Sequence, residues 1–408
     1  NYKAFHKRAD FSVKPVTLFF GYNSAGKSAG LRFLKLLSDS VNSSGSSPLN
    51  LRSEVMRGAD FSSLLSKHSS SPRLHLSLDF GEVSANYTIL TLPGRRQQVV
   101  EELIVQRTQD AKPSVFEWLP DENKDEQKTK TYKYTCAEEY SEITLAFDGL
   151  VPTNFSDDFT GLLGPVAEHL ETYSSGFVSL SADCLLPERF YLETAPAKSV
   201  SSRGEGMMSI LQAASPKVIS DISDWYEGAT GYRFQRSRIT IGDRSGHRFT
   251  LHPNSDEKID IDIVDTGEGM GQVLPVISLL TLAKHRYLGQ NPVISLEHPE
   301  LHIHPDAHVH LANIVAEVAT SEAKPKILLE THSENLLLGI QLAIAEKRIA
   351  PDEVAVHWVR GTEQGAVIDL VEFDAEARPI KDNWPIDVFR TNTKLARELF
   401  QTRRRGQK

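Results

Sequence analysis

VTLFFGYNSAGKSAGLRFLKLL, residues 16–37, joins a continuous apolar run to a glycine-bearing turn and then to a helical pattern. The run 16–20 suits a strand buried on both faces. Leu31, Phe33, Leu34, Leu36 and Leu37 then recur at helical spacing. Between them GYNSAGKS (21–28) fits G-x-x-x-x-G-K-[ST], a pattern whose chemistry demands this order. Backbone N–H groups of Asn23, Ser24, Ala25 and Gly26, with the start of the helix, surround a β-phosphate. Lys27 brings a positive charge to the β- and γ-phosphates, and the Ser28 hydroxyl reaches Mg2+. Gly21 and Gly26 stand where backbone must approach phosphate with no Cβ in the way.

Three further elements follow in the C-terminal half. DTGEGMGQ (265–272) sets Gly267, Gly269 and Gly271 directly before the apolar run VLPVISLLTLA, another place for close backbone approach to an anion. Pro275 is expected in the first turn of that helix, where its missing N–H does no harm. PVISLEHPE (292–300) is an apolar strand ending in acids, and a carboxylate such as Glu297 at such a strand end is what a Mg2+–water shell requires. LLETHSE (328–334) is a second buried strand; His332 at its end is suited to donate a hydrogen bond to a γ-phosphate and so register its presence. His298, His302, His304, His308 and His310, beside Glu297, Glu300 and Asp306, keep a zinc cluster open as a rival reading.

In this order and spacing the elements resemble the SMC/RecF/OLD class of ABC-type ATPases. They are especially similar to compact bacterial AAA-type ATPases carrying E-x-PE-x-H-x-HP. That motif reads EHPELHIHP here (297–305), GEGMGQVLP (267–275) matches the family signature, and ETHSE (330–334) matches its switch-histidine motif. NYKAF (1–5) resembles the usual opening, and NWPIDVF (383–389) the tail of one subfamily.

The resemblance implies an α/β fold: an ABC-type ATPase head with a mixed central sheet flanked by helices, plus an antiparallel β subdomain. It implies ATP and Mg2+ as cofactors, with Ser28 and Glu297 on the metal. It also implies a homodimer or higher even oligomer, in which ATP lies between Lys27 and Ser28 of one chain and Gly269, Gly271 and Gln272 of the other. Glu300, His298 and His332 are the candidate catalytic residues. Two departures stand out. Gly271 replaces the signature serine, and His298 occupies the place of the glutamate that positions the attacking water. Orienting water is then left to a neutral His298 or to Glu300, and slow hydrolysis is expected.

The 408 residues allow one large domain or two ordinary ones. The expected division is an N-terminal lobe with the phosphate loop and antiparallel strands (1–120), a variable, helical insertion (121–255), and a C-terminal lobe with signature, acidic strand and switch histidine (256–408). Alternation at 74–80, 99–105, 142–147, 232–241 and 258–264 predicts strands with one wet face. The stretches 38–47 and 121–130 have loop composition, and 151–225 reads as loops and helices. Apolar runs at 292–296, 326–330 and 354–359 predict an α/β layer, with 354–359 and 367–373 closing as a hairpin over RGTEQG.

A net charge of −9 excludes a surface that attracts nucleic acid all over, while the basic tail QTRRRGQK leaves DNA or an acidic partner possible. Cys136 and Cys184 lack metal-type spacing and read as free thiols. No run nears the about 20 apolar residues of a membrane span, and no signal peptide is visible; a cytoplasmic protein without membrane contact is expected. The 76 residues after His332 leave no room for a nuclease domain, so no nuclease activity of its own is expected. The resemblance points to a sensor or scaffold for a separately encoded effector, a nuclease, in bacterial defence against phage or mobile DNA. A RecF-like DNA-binding repair ATPase and a catalytically degenerate, nucleotide-gated subunit are the alternatives.

Overall fold

The computed structural model describes residues 1–41, 47–92, 97–120, 128–137, 139–256, 258–381 and 383–384. The chain divides into two compact units that interleave along the sequence. Asn1–Asp10, Asn23–Phe177 and Arg360–Val367 make the first; Phe11–Tyr22, Val178–Val359 and the chain from Ile368 on make the second. The boundaries expected at 120 and 255 therefore fall inside compact units. The physical reason is β1 (Val16–Gly21), which pairs with strands from the far end of the chain, while the helix after it, α1 (Lys27–Val41), belongs to the first unit.

The first unit is the antiparallel β part of the fold. β2 (Arg73–Asp79), β3 (Val83–Leu92), β4 (Gln97–Arg107), β5 (Ser114–Trp118), β6 (Thr129–Cys136), β7 (Glu139–Asp148) and β8 (Val151–Thr153) form one seven-stranded sheet in chain order. α2 (Thr160–Ser175) and α1 share a core with its apolar face, including Leu36, Leu74, Leu103, Phe116 and Leu163. Its buried tyrosines are satisfied: Tyr87 donates to Leu150 O at 3.0 Å and Tyr132 to Val100 O at 2.8 Å. The loop expected from residue 38 begins later, because Ser38 and Ser40 continue α1. Ser40 Oγ donates back to Leu36 O at 2.6 Å, and Ser174 Oγ of α2 donates to Ser38 O at 2.7 Å. Of the charged run 121–130, Thr129 and Lys130 open β6, and 121–127 lie outside the described residues.

The second unit is built on a six-stranded sheet in the order β17-β16-β1-β15-β14-β9. In chain order its elements are β9 (Phe177–Leu180), β10 (Tyr191–Leu192), α3 (Met207–Ala213), α4 (Pro216–Thr230), β11 (Tyr232–Ile241), β12 (Arg244–Pro253), β13 (Ile261–Asp262), α5 (Glu268–Lys284), β14 (Val293–Glu297), α6 (Ala307–Ala319), β15 (Lys326–Thr331), α7 (Glu334–Ala345), β16 (Val354–Thr362) and β17 (Gly365–Val371). β14, β15, β1 and β16 run parallel, which is why their sequences are apolar runs rather than alternations. α5 is buried on all sides from Val273 to Ala283, as its unbroken apolar sequence requires. A smaller sheet joins β10, β12 and β11, with β13 on β12. The strand expected over 258–264 contracts to Ile261–Asp262, followed by a single 3-10 turn. The closing turn between β16 and β17 is only Glu363–Gln364, since Gly361 and Thr362 extend the strand.

Among the described residues no helix is long and apolar enough to cross a membrane. Cys136 and Cys184 are both free. Of NWPIDVF only Asn383 and Trp384 are described: Asn383 Nδ2 donates to Leu370 O at 2.8 Å, and Trp384 meets the Phe373 ring edge-on. The basic tail 401–408 lies outside the described residues.

Candidate nucleotide site

The phosphate-loop sequence has the strand–loop–helix context its chemistry needs. β1 is buried along its whole length and ends at Gly21, whose φ is 153°. A Cβ at Gly21 would stand 2.2 Å from Val359 O on β16, so only glycine lets the strand leave the sheet here. The chain turns at Asn23 and Ser24, the latter at φ 61°, and passes Gly26 at φ 112°. α1 then opens with Lys27, and the N–H groups of Ala29 and Gly30 return to Gly26 O at 3.1 and 3.2 Å. Lys27 is buried, at 4% exposure. Ser28 follows on the first turn, half-buried.

The signature stretch departs from expectation in its local geometry. α5 begins at Glu268, with Gly267 as its N-cap, so Gly269 and Gly271 lie inside the helix rather than before it. Pro275 is consequently in the helix interior, not its first turn, and its missing N–H denies Gly271 O the usual i+4 donor. The glycines have steric reasons to be there. A Cβ on Gly269 would lie 2.1 Å from His302 O, and one on Gly271 would press on Pro187 Cδ at 3.2 Å. Arg189 fixes that covering segment through Asp262 at 2.7 Å and Asp265 at 2.5 and 2.6 Å. Gln272 Nε2 donates to Glu268 Oε1 at 3.0 Å. Gln272 also shares with Glu297 and His298 the lining of a cavity of about 10 Å3, room for a single water.

The ends of β14 and β15 bring four candidates together. Glu297, half-buried, is in register with Glu330 of the neighbouring strand. The next residue, His298, takes the left-handed conformation at φ 48°, and its N–H donates to Glu330 O at 2.8 Å. Its ring lies between two buried carboxylates: Nδ1 is 3.9 Å from Glu300 Oε1 and Nε2 is 3.4 Å from Glu330 Oε1. The two flanking carboxylates, Glu300 and Glu330, outweigh the opposing effect of burial and lift the His298 pKa to about 9. The shift favours the imidazolium at neutral pH. The neutral histidine of the sequence reading is thereby disfavoured, and an imidazolium has no lone pair with which to accept a proton from water.

Glu300 is buried, which works to raise its pKa. The His298 ring 3.9 Å away, with hydrogen bonds from the Thr331 hydroxyl at 2.7 Å and the His332 N–H at 3.0 Å, prevails and holds it below the ordinary carboxylate value. Its other oxygen, Oε2, is buried and has no hydrogen-bond partner among the described residues. The exposed His332 ring stacks on His298, with centroids 5.0 Å apart and planes at 8°. Glu330 and Thr331 are the site residues that residue-by-residue reading passed over. An acid and a hydroxyl at the end of the apolar run ILLET were the available signal.

The remaining histidines have other uses. His308 Nδ1 is 2.7 Å from the Ser333 hydroxyl and its Nε2 is 3.3 Å from Ile303 O, while His304 sits beside Asp306 at 3.4 Å on the surface. Among the described residues no group of three or more His, Cys, Asp or Glu side chains is arranged to hold a metal ion, and the rival zinc reading finds no support. Glu297, by contrast, suits Mg2+ as a single hard oxygen donor at a strand end, since that ion takes one or two carboxylates together with water and phosphate oxygens.

Residues 173–338 match the family model of the AAA domain, putative AbiEii toxin, type IV TA system. The ATPase resemblance is borne out there. The matched stretch runs from the end of α2 into α7 and takes in α5, the acidic strand end and the switch strand. No curated protein matches the sequence. Among solved structures the chain is similar to an SMC head bound to the C-winged helix domain of ScpA, at 10% identity and TM-score 0.44, covering 91% of this chain and 95% of that one. It is also similar to an SMC head domain from Thermotoga maritima (10%, TM-score 0.39, covering 91% and 96%) and to a Pyrococcus furiosus SMC head with an extended coiled coil, bound to the C-terminal domain of ScpA (9%, TM-score 0.40, covering 91% and 94%).

Proposed function

We propose that this chain is an ATP-binding, slowly hydrolysing ATPase head that pairs with a second copy of itself around ATP. Its role is that of a sensor or scaffold for a separately encoded effector, a nuclease, in bacterial defence against phage or mobile DNA. The observation that carries the nucleotide reading is the sequence GYNSAGKS in its strand–loop–helix setting, with a lysine at the first position of α1. The AAA-domain match over 173–338 supports the ATPase class, and the toxin–antitoxin description of that family is in keeping with a defence role.

In this reading Lys27 binds the β- and γ-phosphates and Ser28 and Glu297 hold Mg2+. Mg2+, when bound, neutralises charge on the phosphate oxygens. Glu300, already ionised and with one oxygen uncommitted among the described residues, orients the attacking water. His298 is cationic and stabilises negative charge instead of accepting a proton. A buried carboxylate drawn toward an imidazolium is a weak base; that supports slow turnover. Gly269, Gly271 and Gln272 serve the nucleotide of the second copy, and His332 reports on the γ-phosphate.

Lys27→Ala is the direct test. Isothermal calorimetry is expected to find ATP bound by the natural protein and no binding by the variant; equal affinity for both sinks the assignment. Salt-dependent binding of duplex DNA by the isolated protein favours the RecF-like alternative.

A further inference from the structure

Thr331 stands at the crossing of two hydrogen-bond chains, although nothing in its residue type marks it for chemistry. It is fully buried at the end of β15. Its hydroxyl donates to Glu300 Oε1 at 2.7 Å and accepts the Ser333 N–H at 2.9 Å. Ser333 in turn caps α7, its hydroxyl accepting from Leu336 N–H at 2.9 Å and lying 2.7 Å from His308 Nδ1. The same Glu300 oxygen accepts the His332 N–H at 3.0 Å. One carboxylate oxygen is therefore locked to the switch strand by two donors. The other is buried and has no hydrogen-bond partner among the described residues, the state of a group oriented in advance to take one further donor.

We propose that Thr331 is a positioning residue: its hydroxyl fixes the Glu300 carboxylate against the backbone of His332, so that the acidic turn after β14 and the switch end of β15 move as one piece. The inference rests on the ATPase reading above. Without the hydroxyl, Glu300 Oε1 keeps the His332 amide donor and the more distant His298 ring at 3.9 Å, so the carboxylate can rotate about its side-chain torsions, and the Ser333 N–H loses its acceptor. Misplacing a water-orienting group by an ångström slows a reaction strongly while leaving binding of the bulk of the substrate intact.

The test compares Thr331→Val, which keeps the branched shape without the hydroxyl, with Thr331→Ser, which keeps the hydroxyl. The valine variant is expected to lower kcat about tenfold or more with the ATP dissociation constant changed less than about threefold, and serine to restore kcat to within about threefold. Natural kcat in a folded Thr331→Val protein overturns the inference and leaves the ATPase reading standing. Lower stability with kcat per folded molecule unchanged also overturns it, since a merely structural role predicts that result. No ATP binding by the natural protein overturns both. If the valine variant does not fold, Thr331→Ala is judged by the same limits.

Discussion

His298 shows how one side chain's charge is set by its neighbours. The residue directly follows Glu297 at the end of β14, and an isolated histidine has a pKa of about 6.5. Between Glu300 and Glu330 the value rises to about 9. A group whose folded pKa is raised stabilises the protein fully below its unfolded value, and the contribution is lost as pH rises through the folded value. The stability advantage of the natural protein over His298→Gln is therefore expected to be largest near pH 6 and to shrink steadily toward pH 9.5, read from urea midpoints at each pH. An advantage that stays level across that range contradicts a charged His298. Deprotonation in the same window also removes the positive charge assigned to this residue, so turnover in Thr331-intact protein is expected to fall between pH 8 and 10 with a midpoint near about 9.

At the scale of elements, helix α5 and the turn after β14 are pressed together at Gly269. A methyl group there would overlap His302 O, a backbone atom whose own residue is already in the left-handed conformation at φ 66°. Neither partner can yield by rotating a side chain. Gly269→Ala is thus expected to cost about 2 kcal/mol or more, through overpacking, and to lower the thermal midpoint; unchanged stability shows that α5 shifts freely. This contact explains why the signature was readable as a motif but not as geometry. The glycine spacing announced close backbone approach, yet it did not say that the approaching backbone was the chain's own. Pro275 misled for a related reason: a proline marks a helix start only when nothing else permits it inside, and here the glycines before it are themselves helical.

The same contrast runs through the other elements. β1, β14, β15 and β16 were legible because buried parallel strands are apolar throughout. β12, RSGHRFTLHP, carries no strand signal in the sequence, since its arginines and histidines hide the alternation; Arg248 is matched by Asp262 and Asp260. Of the candidate site, His298, Glu300 and His332 lie in contact at the strand ends beside Glu297. Glu330 and Thr331 needed the register of two strands to be known before their closeness to His298 and Glu300 had any meaning.

For the whole molecule, the proposed pairing makes stability and size depend on nucleotide. A ligand bound only by the folded protein stabilises it by RT ln(1 + [L]/Kd), about 2.7 kcal/mol at a hundredfold excess over Kd. ATP with Mg2+ is accordingly expected to raise the thermal midpoint of the natural protein and to leave Lys27→Ala where it was. If two copies share each nucleotide, ATP and Mg2+ must also shift the mass measured by light scattering toward the dimer, because a ligand that contacts both halves favours the state containing both. Chelating the metal with EDTA is expected to reverse that shift, and Glu297→Gln to mimic the chelator at millimolar Mg2+. The two readouts separate the parts of the proposal: a raised midpoint with unchanged mass keeps nucleotide binding and discards pairing, whereas neither change at millimolar ATP discards both.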